Sequence, residues 1–98
     1  MKKAYIFAQG TVNDPESIQA YYEATPPVIE KFGGTVIVFS NAAKNMEGSE
    51  FSTWAVLEFP SLENAVDYYD SDLYQKKCKP LRTPFSEFTV NIVEALPS

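Results

Sequence analysis

Histidine is absent from the 98 residues, so acid–base work near neutral pH would fall to carboxylates or tyrosines. The same absence removes histidine triads, His-ligated haem and Cys₂His₂ zinc sites. Glu58 is the most interesting carboxylate, because it lies near the end of an apolar run, Trp54–Phe59. A partly buried carboxylate there would have a raised pKa and could act as a base, although a plain strand-end ion pair is the commoner use. Arg82, the only arginine, stands between Pro80-Leu81 and Thr83-Pro84. Its planar fork suits a carboxylate or phosphate on a ligand, and equally an intrachain acid that pins the segment down. Glu58 and Arg82 are the catalytic candidates. Tyr22, Trp54, Tyr69 and Arg82 are the ligand-binding candidates, from a wider aromatic set that includes Tyr21 and Tyr68. Apolar pockets with a few polar tips are typical small-molecule sites, while core packing explains most single aromatics.

Other clusters are weaker. Lys76, Lys77 and Lys79 with Arg82 are half of the cations, but lysines in a last helical turn ordinarily match the helix dipole. Cys78 sits among them, where a thiol could be activated, yet cysteines are more often buried and inert. Asp67, Asp70 and Asp72 lack the spacing and glycine of a calcium loop. No phosphate loop is present, because Gly33-Gly34 reads as a helix stop. No metal and no cofactor are expected.

The elements that must position these residues follow from pattern. Residues 3–9 read as a strand, with Gly10 marking its end or a bulge. Asp14-Pro15-Glu16 is a helix start, and Ile18, Tyr21, Tyr22, Thr25, Ile29 and Phe32 recur at helical spacing up to Gly33. Pro26-Pro27 inside that pattern predicts a kink or two short helices. Residues 35–40 and 53–59 read as strands joined by a long polar loop. Ser61 caps a second helix and Ser71 a shorter one, and residues 87–95 form the last strand. The order strand, helix, strand, strand, helix, strand predicts an α+β, ferredoxin-like β-α-β-β-α-β sandwich. Its four-stranded antiparallel sheet carries the helices on one face, within one domain over residues 1–98.

Both faces of that sheet are apolar in the sequence. Tyr5 and Phe7 oppose Ala4, Ile6 and Ala8. Ile37 and Phe39 oppose Val36 and Val38. Ala55, Leu57 and Phe59 oppose Trp54 and Val56. Helices cover only one face, so the other is expected to pair with a second copy of the chain. The alternative cover is the 41–52 loop together with residues 78–86.

Composition bounds the partners. A net charge of −5 opposes nucleic-acid binding, no apolar stretch reaches membrane-spanning length, and a lone cysteine fits the cytoplasm.

Several phrases occur together in order: Asp14-Pro15, Lys31-Phe32-Gly33-Gly34, Met46-Glu47-Gly48, Glu58-Phe59-Pro60-Ser61, Tyr68-Tyr69, Tyr74-Gln75 and Leu81-Arg82. As a set they resemble the bacterial family known as domain of unknown function 1330, in the dimeric α+β barrel superfamily. The resemblance implies a ferredoxin-like fold and a homodimer joined through the sheets. It implies no established activity, although the wider superfamily includes cofactor-free monooxygenases, isomerases and haem proteins with pockets between sheet and helices. The chain departs from the commoner pattern at Pro26-Pro27 and at Tyr68, where the resemblance leads one to expect Trp. The expectation is therefore a domain that binds a small apolar or aromatic molecule. The alternative is a cofactor-free isomerase, lyase or monooxygenase.

Overall fold

Runs of β-branched and aromatic residues form four strands in the computed structural model, which describes residues 2–97. They are β1 (Ala4–Val12), β2 (Thr35–Ser40), β3 (Thr53–Phe59) and β4 (Ser86–Glu94). The helices are α1 (Gln19–Lys31), α2 (Leu62–Asp70) and the short α3 (Asp72–Gln75), followed by two 3-10 turns at Lys79–Leu81 and Thr83–Phe85. All strand pairs are antiparallel, in the order β2-β3-β1-β4, which is the ferredoxin-like arrangement.

Local chemistry sets the helix ends. Ser61 and Ser71 each accept a backbone N–H three residues on, capping α2 and α3. Asp14 caps a turn rather than the helix itself: it accepts from the Ser17 backbone and hydroxyl, and α1 begins only at Gln19. Those bonds from Ser17 hold the Asp14 carboxyl below the usual carboxylate range. Gly33 closes α1 at φ +82°, with Gly34 N–H donating to Ile29 C=O. The expected break at Pro26-Pro27 does not divide the helix, which runs as one element from Gln19 to Lys31. The two prolines remove two N–H donors, but neighbouring turns carry the helix through.

β1 runs past Gly10 to Val12. Gly10 is needed there because a Cβ would run into the Glu87 backbone and the Phe88 ring on β4.

β2 departs most from simple alternation. Val36 pairs with Leu57 and Val38 with Val56, so Ile37 is an extra, bulged residue. The bulge turns Val36 and Phe39 to the same side, toward the helices, and leaves Val38 on the other.

The core lies between sheet and helices. Ala4, Ile6, Ile29, Phe59, Ala65, Tyr68, Tyr74 and Cys78 are buried together. α2 packs against β1, β3 and β4, whereas the nearest backbone neighbours of α1 are α3 and the first 3-10 turn. Residues 78–86 belong to this helix side, since Arg82 and Cys78 are buried there. They do not cover the opposite face of the sheet, where Phe7, Val38 and Val93 stay 38–49% exposed. No helix among the described residues is long and apolar enough to cross a membrane.

Candidate functional site

The stand-off of α1 leaves a cavity of about 220 Å³ between that helix and the sheet. Its floor is apolar and small at the centre. Ala8 of β1 lies directly opposite Ala55 of β3, with Ile6, Leu57, Phe88 and Val90 around them. Two alanines in register remove the bulk that would otherwise meet the helices. The roof is the inner face of α1, namely Tyr21, Tyr22, Thr25, Pro26 and Ile29. Tyr22 and Phe39 meet edge-on across the gap, ring centroids 4.8 Å apart, and form one wall. The same pair, with Thr53, borders a second and more open cleft of about 460 Å³ on its outer side.

Five of the six tyrosines line the inner cavity: Tyr21, Tyr22, Tyr68, Tyr69 and Tyr74. Tyr74 makes edge-on or tilted ring contacts with Tyr21, Tyr68 and Tyr69. Its hydroxyl lies 2.8 Å from that of Tyr21 and accepts from Arg82 Nε at 3.1 Å. Arg82 is 7% exposed, with its guanidinium carbon 5.9 Å from the Tyr21 ring centroid and 5.8 Å from that of Phe88. No carboxylate among the described residues forms an ion pair with it. The cavity is thus greasy along its length and polar at one end.

Burial pushes the Tyr21 and Tyr68 phenols far above their ordinary range, so both stay neutral donors. Burial works against the charge on Arg82, but the Tyr74 bond and the surrounding phenols outweigh it and raise its pKa further. The site therefore holds one fixed positive charge beside the neutral phenols of Tyr21 and Tyr68.

Of the expected ligand-binding residues, Tyr22, Tyr69 and Arg82 line the cavity and Trp54 does not. Alternation along β3 sends Trp54 to the opposite face of the sheet, edge-on to Phe51, with its indole N–H buried and lacking an acceptor. Glu58 is on that opposite face too. It accepts from the Tyr5 hydroxyl at 3.0 Å and pairs with Lys3 at 3.4 Å, which is the plain structural use of a strand-end carboxylate. Arg82 lines the cavity, and the alternative use, an intrachain acid, is not found beside it among the described residues. In the sequence Tyr74 stands out only within the Tyr74-Gln75 phrase of the family resemblance. Nothing in its spacing signals that the 3-10 turns bring Arg82 back onto its hydroxyl.

The remaining clusters lie outside the cavity lining. Lys76 pairs with Asp72 in solvent, and Lys79 lies over the Tyr69 ring at 5.8 Å. Cys78 is buried, and burial raises its thiol pKa. No cluster of potential metal ligands occurs among the described residues.

Against known proteins, the model of a domain of unknown function, DUF1330, matches residues 3–96. The chain belongs to the DUF1330 family. The crystal structure of RPA0582, a protein of unknown function from Rhodopseudomonas palustris, is similar to this DUF1330 domain with a TM-score of 0.75 at 15% identity. The match covers 99% of this chain and 85% of that one. The structure of methylated RPA0582 matches equally, with a TM-score of 0.75 at 15% identity over 98% of this chain and 82% of that one. At that identity the likeness shows the fold alone. No functionally curated protein matches the DUF1330 chain.

Proposed function

We propose that this DUF1330 protein binds a small, largely apolar or aromatic molecule in the cavity between α1 and the sheet, and that it works as a homodimer. The observation that carries the binding reading is the cavity itself, about 220 Å³ of mainly apolar space lined by aromatic rings, open on one side and polar at one end. Well-packed interiors do not keep such a space without reason, and an apolar cavity of roughly 150 Å³ is already enough for a benzene ring.

The homodimer rests on the open face of the sheet. Phe7, Val38 and Val93 are exposed there beside the part-buried Tyr5, Trp54 and Val56. A second copy of the same face is the simplest cover, because a two-fold contact needs one self-complementary surface.

A cofactor-free enzyme working by proton transfer is the competing reading. A base would have to face the bound molecule, and the described lining contains only apolar side chains, threonines, tyrosines and Arg82. The tyrosines with elevated pKa are poor bases. Binding is therefore the better-supported function.

The test is a thermal-shift panel of neutral and charged single-ring compounds on the wild-type protein and on Ala55→Leu. Ligands bound only by the folded state must raise its melting temperature. Hits on the wild type that vanish in Ala55→Leu are expected, since the added branch occupies the cavity floor. Hits that persist in that variant place binding elsewhere and overturn the reading.

A further inference from the structure

The polar end of the cavity contains donors without acceptors. Arg82 is 7% exposed, and its one side-chain hydrogen bond among the described residues uses Nε, to Tyr74. The Nη N–H groups have no protein acceptor among the described residues and are not sealed off from open space, which leaves them free to meet a ligand. Tyr21 and Tyr74 share one hydrogen bond between two hydroxyls. Whichever oxygen donates, one hydroxyl hydrogen remains free. The Tyr21 and Phe88 rings lie within cation–π range of the guanidinium, at 5.9 and 5.8 Å, but offer its N–H groups no oxygen acceptor. Buried arginines are ordinarily paired with an acid, because an unpaired charge in an apolar site is strongly disfavoured. Here no acid among the described residues pairs with it.

We propose that the cavity's ligand is a small organic monoanion, a single-ring carboxylic acid or one of similar size. Its carboxylate lies against Arg82 and a tyrosine hydroxyl, and its apolar body lies over Ala8 and Ala55. This deepens the binding reading above and rests on it. The planar guanidinium fork matches a carboxylate in two parallel hydrogen bonds. A single fixed positive charge balances one negative charge; a phosphate dianion would leave one uncompensated in apolar surroundings. The volume also sets the size, since about 220 Å³ admits a ring with a carboxyl group and falls short of the ~300 Å³ where drug-sized pockets begin. The protein's net charge of −5 opposes anions everywhere else, so a preference for an acid cannot come from bulk attraction.

Isothermal titration calorimetry with benzoate, its neutral isostere benzamide, and toluene decides the matter. The wild-type protein is expected to bind benzoate at least about tenfold more tightly than benzamide, the scale of one charge-assisted hydrogen bond. Arg82→Met removes that preference. Arg82→Lys keeps the charge, loses the fork and retains only part of it. Should Arg82→Met fail to fold, the wild-type ratio and the lysine variant decide alone. Benzamide or toluene binding as well as benzoate overturns the acid and leaves the apolar-ligand reading standing. Silence from all three probes overturns both.

Discussion

Tyr74 connects more of the site than any other residue. Its hydroxyl meets both Arg82 and Tyr21, and its ring touches three other tyrosines. Tyr74→Phe keeps the ring and removes the oxygen, so it isolates the polar role. It leaves Arg82 Nε and the Tyr21 hydroxyl without their partner, and the expected loss is about 1–3 kcal/mol in a denaturant titration. The buried phenols give a pH signature. Tyr21 and Tyr68 hold their protons far more tightly folded than unfolded, where they ionise near 10.0. Between those two values the unfolded chain binds fewer protons than the native one, so stability falls as pH rises. Melting temperature is therefore expected to be insensitive to these groups below about pH 10 and to drop above it. Absorbance at tyrosinate wavelengths should show these two phenols ionising only as the fold is lost. Cys78, buried with its thiol pKa raised, is expected to stay inert to a thiol-reactive disulfide reagent until the protein is unfolded.

The elements act through what they leave out. α1 can stand away from the sheet because β1 and β3 place Ala8 opposite Ala55 where a larger pair would touch the helix. The bulge at Ile37 then swings Phe39 toward Tyr22 and closes one wall. Ala55→Leu should leave the melting temperature equal or higher, since it fills space rather than opening it, while abolishing ligand-induced shifts. The turn after α1 is less forgiving. Gly33 sits at φ +82°, where any side chain is strained, and a Cβ there would lie 3.3 Å from the Pro60 ring. Gly33→Ala should lower stability by roughly 1–2 kcal/mol without changing which ligands bind, as measured by denaturant melts and calorimetry together.

The whole molecule is a thin slab, 38 × 34 × 16 Å, which is one sheet with helices on one side. Its bare side is apolar and not small, with Phe7, Val38 and Val93 each at least 38% exposed, and Val38 lies on the edge strand β2. Long exposed apolar edges promote uncontrolled pairing unless a partner covers them. The expected outcome of analytical ultracentrifugation is a species of twice 11.0 kDa. Phe7→Lys puts a charge at the centre of the bare face and should shift the equilibrium to the monomer. A wild-type chain that sediments as a monomer at micromolar concentration would remove the dimer and leave the cavity untouched.

Strand and helix order, the serine caps at Ser61 and Ser71, the glycine stop at Gly33 and the two-faced apolar sheet are all legible in the sequence. Each depends on neighbours within a few residues or on a period of two or 3.6. The β2 bulge is not legible, because it is set by pairing with β3, and so the side taken by Phe39 and Val36 is not either. Trp54 and Glu58 look like site residues in one dimension and fall behind the sheet in three, since strand alternation decides faces only once it is known which face the helices cover. Arg82 stood out by rarity alone. That it carries no acid, that Tyr74 receives its Nε, and that two alanines hollow the floor beneath it were decided by tertiary structure. Those facts join residues 8, 55, 74 and 82, and a local pattern in the chain cannot carry contacts made across four separate elements.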